Sequence, residues 1–229
     1  GVAGGYCMLL AALDSAKTTR DSQSFIADLR LKADFIANAR PTAQPLPWAV
    51  NLALEAVDKA YKSGMSVQGI VQVVRDIADY ILASDLALNA CTRREIRNHL
   101  KNGDIILHHC NAGLAGSYGA HATCGIEEAF ADGMDVILAS HETRPRSQGF
   151  KITIWEAVRC GLPVIAITDG MTNATIRRYG LNKAMLGVDR VAKDGSVANK
   201  IGSADAASVF REYGLPFYYC TSYSTIDLD

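Results

Sequence analysis

Apolar residues in the first part of the chain recur at three- and four-residue steps, a spacing that places them on one face of an α-helix. One such pattern spans residues 67–82 and follows Ser66, a residue type that caps the start of helices. Another spans residues 25–36 and is predicted to end near Asn38. We therefore predict that residues 1–100 form a helical N-terminal domain.

A proline-rich segment interrupts this helical pattern. Residues 40–47 read R-P-T-A-Q-P-L-P. Proline fixes its own backbone angle and disfavours helical geometry in the residue before it. The segment is therefore predicted to be an extended link, after which the helical pattern resumes at Trp48.

From residue 104 onward the pattern changes to short apolar runs separated by segments with helical spacing. The runs lie at residues 105–107, 136–138, 164–167, 184–186 and 217–219, and helical segments at residues 125–131, 153–159 and 206–213. Alternation of strands and helices is typical of a parallel sheet covered by helices. The predicted fold class is α/β, with a Rossmann-like domain at residues 101–229 after the helical domain.

Polar residues follow each of the predicted strands. They are Cys110, residues 142–144, Asp169, Asp189 and residues 221–227, in strand order. The carboxyl ends of parallel strands meet at one edge of a sheet, and open α/β sheets bind their ligands there. The pattern therefore predicts one composite site.

Composition narrows the classes of function. The chain has 229 residues, 49% of them apolar and 21% charged, and a net charge of -1. This balance gives no electrostatic basis for binding nucleic acid or an anionic membrane. No apolar run approaches the ~20 residues of a membrane-spanning helix, and the first residues lack the basic region of a signal peptide. Six cysteines without a C-x-x-C pair indicate neither a disulfide framework nor a zinc site, and favour the cytoplasm.

Two residues are candidates for chemistry at the predicted sheet edge. Cys110 lies in the glycine-rich turn H-H-C-N-A-G-L-A-G-S-Y-G, at residues 108–119, which suits an anion or forms an ordinary tight turn. A thiol at a helix N-terminus is reactive, although a cysteine can also be a small core residue. Asp189 could donate a proton, or it could cap a helix or pair with Arg190. The turn lacks the Walker A and G-x-G-x-x-G patterns, which argues against a nucleotide or a Rossmann dehydrogenase.

Further polar residues lie in breaks between the predicted elements. Arg40, Gln148, Asn199 and Lys200 have the side chains that bind phosphate and sugar hydroxyls, and each could equally be a solvated surface residue. The other histidines are interpreted as core or surface residues, and no Cys–His dyad is predicted. They are His99, His108, His121 and His141.

Six segments, in order, resemble the methylthioribose-1-phosphate isomerase family. They are R-P-T-A at residues 40–43, H-C-N-A-G at 109–113, E-T-R-P-R-S-Q-G at 142–149, G-V-D-R at 187–190, V-A-N-K-I-G at 197–202 and S-T-I-D at 224–227. The family is related to the regulatory subunits of the translation-initiation nucleotide-exchange factor. The family also has an R-G-A-P-A-I-G segment, of which the last glycine corresponds to Gly1. In the G-V-D-R segment, Val188 replaces the alanine that is usual in the family.

The resemblance implies an isomerase of methionine salvage that converts 5-methylthioribose 1-phosphate to 5-methylthioribulose 1-phosphate. It implies that Asp189 and Cys110 are catalytic. It further implies a homodimer that needs no metal or organic cofactor. The substrate would be held by Arg40, Gln148, Asn199 and Lys200. Alternatives are an isomerase of 5-deoxyribose 1-phosphate or ribose 1,5-bisphosphate, or a non-catalytic regulatory or sugar-phosphate-sensing subunit.

Overall fold

The chain divides into two units in a computed structural model, which describes residues 1–40, 42–111 and 121–228, with the backbone alone at His121. The first unit contains Gly1–Ala87 and Ser224–Asp227, and the second contains residues 88–111 and 121–223. The division falls inside one long helix, whereas the boundary predicted near residue 100 lies just after that helix.

The first unit is built from helices, in agreement with the prediction. They are α1 (Val2–Thr18), α2 (Ser22–Asn38), α3 (Pro45–Lys62) and the first part of α4 (Val67–Asn98). Asp21 and Ser24 form a capping box that satisfies backbone N–H groups at the start of α2. The Ser66 hydroxyl accepts a hydrogen bond from the backbone N–H of Gly69 at 3.2 Å, which confirms the predicted cap of α4. The apolar faces enclose a core that includes Met8, Phe25, Leu29, Val57 and Val74.

The predicted extended link is wrong for residues 45–47, because α3 already begins at Pro45. Proline is tolerated in the first turn of a helix, where its missing N–H would have no partner. The backbone N–H of Trp48 donates to the carbonyl of Gln44 at 3.1 Å and closes this first turn. The prolines therefore start the helix, and only a short connection separates it from α2.

The second unit is organised around a five-stranded parallel sheet with the strand order β3-β2-β1-β4-β7. Its strands are β1 (Asp104–His108), β2 (Val136–His141), β3 (Val164–Ile167), β4 (Lys183–Leu186) and β7 (Phe217–Tyr219), while β5 (Arg190–Val191) and β6 (Val197–Ala198) form an antiparallel pair. Each predicted apolar run is therefore a strand. The fold-class prediction is confirmed.

Helices cover both faces of the sheet. They are α5 (His121–Ala131), α6 (Ile154–Cys160), α7 (Thr172–Tyr179) and α8 (Ser203–Glu212), and a π-helical turn (Gly149–Thr153) leads into α6. Ile106 and Leu107 are consecutive in β1, are fully buried and belong to different apolar clusters. Side chains alternate between faces along a strand, so β1 is covered on both sides. Within the described residues, no helix combines the length and apolar character needed to cross a bilayer.

The strand order changes direction beside β1. The chain proceeds outward from β1 to β2 and β3, and then crosses to the other side of β1 to form β4 and β7. In open α/β sheets a ligand crevice lies outside the carboxyl ends of the two strands that flank such a switch point. In this fold those strands are β1 and β4, the strands that precede Cys110 and Asp189.

Candidate active site

Cys110 lies two residues beyond β1 and has a left-handed backbone conformation, with φ at 72°. This region is strained for residues other than glycine. The conformation is held from both sides, because the Cys110 N–H donates to Thr143 Oγ1 at 2.8 Å and Thr153 Oγ1 donates to the Cys110 carbonyl at 2.7 Å. Two threonine hydroxyls therefore position the half-buried thiol residue at the switch point.

Thr143 is itself anchored by the residue that follows β3. Its φ is 65°, and its backbone N–H donates to Asp169 Oδ1 at 2.8 Å. The neighbouring N–H of Arg144 donates to Asp169 Oδ2 at 2.7 Å, so that both carboxylate oxygens are occupied. The polar residues after β1, β2 and β3 thus form one hydrogen-bonded group, as expected for a composite site.

A buried carboxyl group lies behind Cys110. Asn111 Nδ2 donates to Glu156 Oε2 at 2.6 Å and to Thr153 Oγ1 at 3.1 Å. Glu156 is 8% exposed, and this burial raises its pKa to about 7, although the bond from Asn111 opposes the change. Glu156 was not among the site residues predicted from the sequence. The available signal was its position three residues after Thr153 in a predicted helix, which places both side chains on one helix face.

Two buried histidines lie beside the same turn. His109 Nδ1 is 2.9 Å from His141 Nδ1, His109 Nε2 is 2.8 Å from the carbonyl oxygen of Ile201, and His141 Nε2 is 3.0 Å from Thr172 Oγ1. Burial lowers the pKa of both imidazoles, that of His141 to about 4. Burial also lowers the pKa of His108 to about 4, and its Nδ1 lies 2.7 Å from the carbonyl oxygen of Met185. His108 and His141 are core histidines, as predicted, but the pairing of His109 with His141 was not foreseen.

His109, His141 and Asp169 also form a group with the chemistry of metal ligands. Their donor atoms lie within 4.8 Å of one another, and imidazole with carboxylate is a common ligand set. In this structure all four ring nitrogens already have hydrogen-bonding partners, and both Asp169 oxygens accept backbone N–H groups.

Asp189 follows β4, the strand next to β1. It is half-buried, and its backbone N–H donates to the carbonyl of Ala198 at 3.0 Å, beside the β5–β6 pair. The parallel register aligns Leu107 of β1 with Ala184 of β4, so the two strands end at the same edge of the sheet. Cys110 and Asp189 therefore flank the switch point, which is the placement that the sequence pattern predicted for a shared site.

Three predicted substrate-binding residues also belong to the sheet unit. Asn199 Nδ2 donates to Ser203 Oγ at 2.9 Å, and the carbonyl of Lys200 accepts the Ser203 N–H at 3.0 Å. The next residue, Ile201, has its carbonyl oxygen 2.8 Å from His109 Nε2, so the Lys200 backbone lies close to the residue that precedes Cys110. Gln148 Oε1 is buried without a hydrogen-bond partner among the described residues, an arrangement that suits a ligand hydroxyl.

Gly149 must be a glycine because of its approach to strand β2. A Cβ at this position would lie 1.7 Å from the carbonyl oxygen of His141. The same carbonyl accepts a hydrogen bond from Thr143 Oγ1 at 3.3 Å. The tight approach therefore packs the Gln148 segment directly against the residues that hold Cys110.

Other parts of the predicted site lie elsewhere. Arg40 is an exposed residue of the helical unit, and residues 224–227 also belong to that unit. The glycines of the predicted anion-binding turn, Gly113, Gly116 and Gly119, lie outside the described residues, as does Pro41. The sheet unit thus contains Cys110, Gln148, Asp189, Asn199 and Lys200, whereas Arg40 belongs to the helical unit. That these residues share one site stays a prediction.

The second unit is Rossmann-like and carries a thiol and a carboxyl group at its switch point. Open α/β proteins bind small molecules at this place. The match to the Initiation factor 2 subunit family covers residues 2–229. The chain belongs to this family.

Similar proteins include enzymes and initiation-factor subunits. The chain is 34% identical over 230 residues to a methylthioribose-1-phosphate isomerase of Thermosipho melanesiensis, and 36% identical over 231 residues to one of Syntrophotalea carbinolica. Each match covers 100% of this chain and 65% of the relative, so the chain spans just under two thirds of these curated relatives.

Similar solved structures also include an isomerase and an initiation-factor subunit. The 5-methylthioribose 1-phosphate isomerase of Pyrococcus horikoshii superposes with a TM-score of 0.82 at 28% identity, covering 99% of this chain and 63% of the other. The eIF-2B delta subunit of A. fulgidus superposes with a TM-score of 0.76 at 30% identity, covering 99% and 65%.

Proposed function

We propose that the protein is an aldose–ketose isomerase that converts 5-methylthioribose 1-phosphate to 5-methylthioribulose 1-phosphate in methionine salvage. The observation that supports this most directly is the placement of Cys110 and Asp189 after neighbouring strands, on either side of the switch point. The names of its similar relatives agree with this activity. The finer features of the proposal are a homodimer in the cytoplasm and a reaction without metal or organic cofactor.

The substrate class explains why an acid is needed. A phosphate on carbon 1 prevents the sugar from opening spontaneously to an aldehyde, so the bond from carbon 1 to the ring oxygen must break first. Asp189 donates a proton to that oxygen as the bond breaks, and its carboxylate then accepts the proton of the carbon 2 hydroxyl. The acid is thereby restored while carbon 2 becomes a carbonyl. A positioned acid or base of this kind contributes ~10²–10⁴-fold to the rate.

Cys110 assists the transfer of hydrogen from carbon 2 to carbon 1 in one of two ways. As a thiolate, it removes the proton from carbon 2 and returns it to carbon 1 through an enol intermediate. Alternatively, hydride moves directly between the two carbons, and Cys110 stabilises the transition state. Reaction in D₂O separates the two, because only the first path allows deuterium to enter at carbon 1.

The remaining polar residues hold the substrate. In this proposal Lys200 neutralises phosphate charge, Asn199 donates to an oxygen of the substrate, and the buried Gln148 Oε1 accepts a sugar hydroxyl. The resemblance to the isomerase family also predicts that Arg40 binds the substrate. Because a buried acceptor without a partner costs free energy, a hydroxyl that fills this role at Gln148 improves binding.

A second candidate function is a non-catalytic regulatory or sugar-phosphate-sensing subunit, favoured by the similarity to the A. fulgidus eIF-2B delta subunit. The test is to incubate the purified protein with the 1-phosphates of 5-methylthioribose and 5-deoxyribose and with ribose 1,5-bisphosphate, and to follow ketose formation by NMR. We expect turnover to be fastest with 5-methylthioribose 1-phosphate. Binding of any of them without ketose formation would favour the sensing subunit.

Site-directed variants test the catalytic pair. Cys110→Ala and Asp189→Asn are each expected to lower kcat by ~10²–10⁴-fold with the fold retained. Matched controls are Cys160→Ala and Asp194→Asn, which change exposed residues of the same unit and should keep normal turnover. Near wild-type activity in either variant of the pair would contradict the assignment.

A further inference from the structure

The contacts of the buried histidines determine where their protons lie. The carbonyl oxygen of Ile201 can only accept, so His109 Nε2, 2.8 Å away, carries a hydrogen. A neutral imidazole has one N–H, and His109 Nδ1 is therefore an acceptor. His141 Nδ1, at 2.9 Å, must then donate to it, and His141 Nε2 accepts from the hydroxyl of Thr172 at 3.0 Å. The four residues form a chain of hydrogen bonds with a single direction, from Thr172 to Ile201.

Both imidazoles must be neutral for this chain to exist. Burial lowers the pKa of each, and the charge of Lys200 adds to this at His109 while Asp169 opposes it at both. His108 contributes further to lowering the pKa of His141. A proton added to His109 Nδ1 would reverse the chain, because His141 Nδ1 would then have to accept and His141 Nε2 would have to donate to the Thr172 hydroxyl oxygen.

The chain joins two segments that the proposed function uses. His109 directly precedes Cys110, and Ile201 directly follows Lys200. The side chain of Ile201 is not what anchors this segment, because the residue is 76% exposed. The His109 ring also packs against Gly202, where a Cβ would lie 3.1 Å from Cε1 and 3.3 Å from Nε2. Gly202 has φ at 96°, so both its conformation and its contact with the ring favour glycine.

We propose that His109 is a positioning residue that fixes the Asn199–Lys200 segment relative to Cys110 through its hydrogen bond to Ile201. The inference rests on the proposed function, since it assigns that segment to substrate binding. The backbone of Cys110 is held separately by Thr143 and Thr153. Loss of the His109 bond therefore acts on substrate binding more than on the chemical step.

The kinetic test compares two substitutions of His109. Leucine removes the donor, whereas the side-chain amide of glutamine can donate to the Ile201 carbonyl. We expect His109→Leu to raise KM for the sugar phosphate about tenfold, as for one lost hydrogen bond, with kcat changed about threefold or less. His109→Gln should restore KM to within about threefold of wild type. His99→Leu, the same change at an exposed histidine of the same unit, is the control and should leave KM unaltered.

A spectroscopic measurement tests the chain without requiring activity. Nitrogen-15 NMR of labelled histidines in the wild-type protein near pH 7 should show the Nε2–H tautomer at His109 and the Nδ1–H tautomer at His141. The opposite tautomers, or a charged imidazole at either residue, would overturn the chain. An unchanged KM in active His109→Leu would overturn the positioning role. The expected tautomers in a protein that forms no ketose would instead contradict the proposed function alone.

Discussion

Replacing Glu156 by glutamine should make the protein more stable at alkaline pH, and the size of this gain follows from its burial. Burial raises the pKa of Glu156 from its ordinary value of 4.5 to about 7. Between these two values the folded protein holds a proton that the unfolded chain has released, so stability falls as the pH rises. Evaluated between pH 5 and pH 8, this linkage removes about 2 to 3 kcal/mol from the free energy of unfolding.

Glutamine does not titrate, and its carbonyl oxygen can still accept the hydrogen bond from Asn111 that Glu156 Oε2 accepts at 2.6 Å. Relative to wild type, Glu156→Gln should therefore gain about 2 to 3 kcal/mol in unfolding free energy on going from pH 5 to pH 8. Groups that do not interact with Glu156 are the same in both proteins and cancel in this comparison.

The assay is urea denaturation at the two pH values. Unfolding is monitored by the fluorescence of Trp155, the residue directly before Glu156. The chain has two tryptophans, so a Trp48→Phe background makes Trp155 the reporter of the sheet unit. Glu212→Gln, at an exposed position of the same unit, is the matched control and should show no gain. A gain equal at pH 5 and pH 8 would refute the reasoning, because it would mean that Glu156 does not titrate with a raised pKa.

Two further predictions concern the residues around this site. Gly149→Ala should destabilise the protein by about 3 kcal/mol or more and lower its activity, because a Cβ would lie 1.7 Å from the His141 carbonyl oxygen. Gly170→Ala, where a Cβ would meet open space, is its control in thermal unfolding, and equal melting temperatures for the two variants would contradict the steric argument. Treatment with EDTA should leave turnover unchanged, since the nitrogens of His109 and His141 are engaged in hydrogen bonds. A loss of turnover that added metal restores would contradict this prediction and would indicate that the pair holds an ion.

The strands were predictable from the sequence because each is a short apolar run bounded by polar residues. The three central strands β1, β2 and β4 are mostly buried, whereas the edge strands β3 and β7 are only partly buried. The same reasoning located Cys110 and Asp189 at the edge of the sheet, since the end of a strand is a local property. The start of α3 was not predicted correctly. Proline interrupts a helix interior but suits a first turn, and the choice between these roles at Pro45 depends on which residues the helix packs against.

The sequence by itself determined the order of strands and helices along the chain, and which polar residues follow each strand. Only the tertiary structure decided which of those residues meet. His109 bonds to His141, 32 positions away, and to Ile201, 92 positions away, while Asn111 reaches Glu156 across 45 positions. The spacing of apolar residues in the sequence does not predict such contacts. It indicates the face of the helix or strand on which a residue lies, but not the residue that it contacts across the sheet. The partner is set by strand order and register, which form only when the whole core packs.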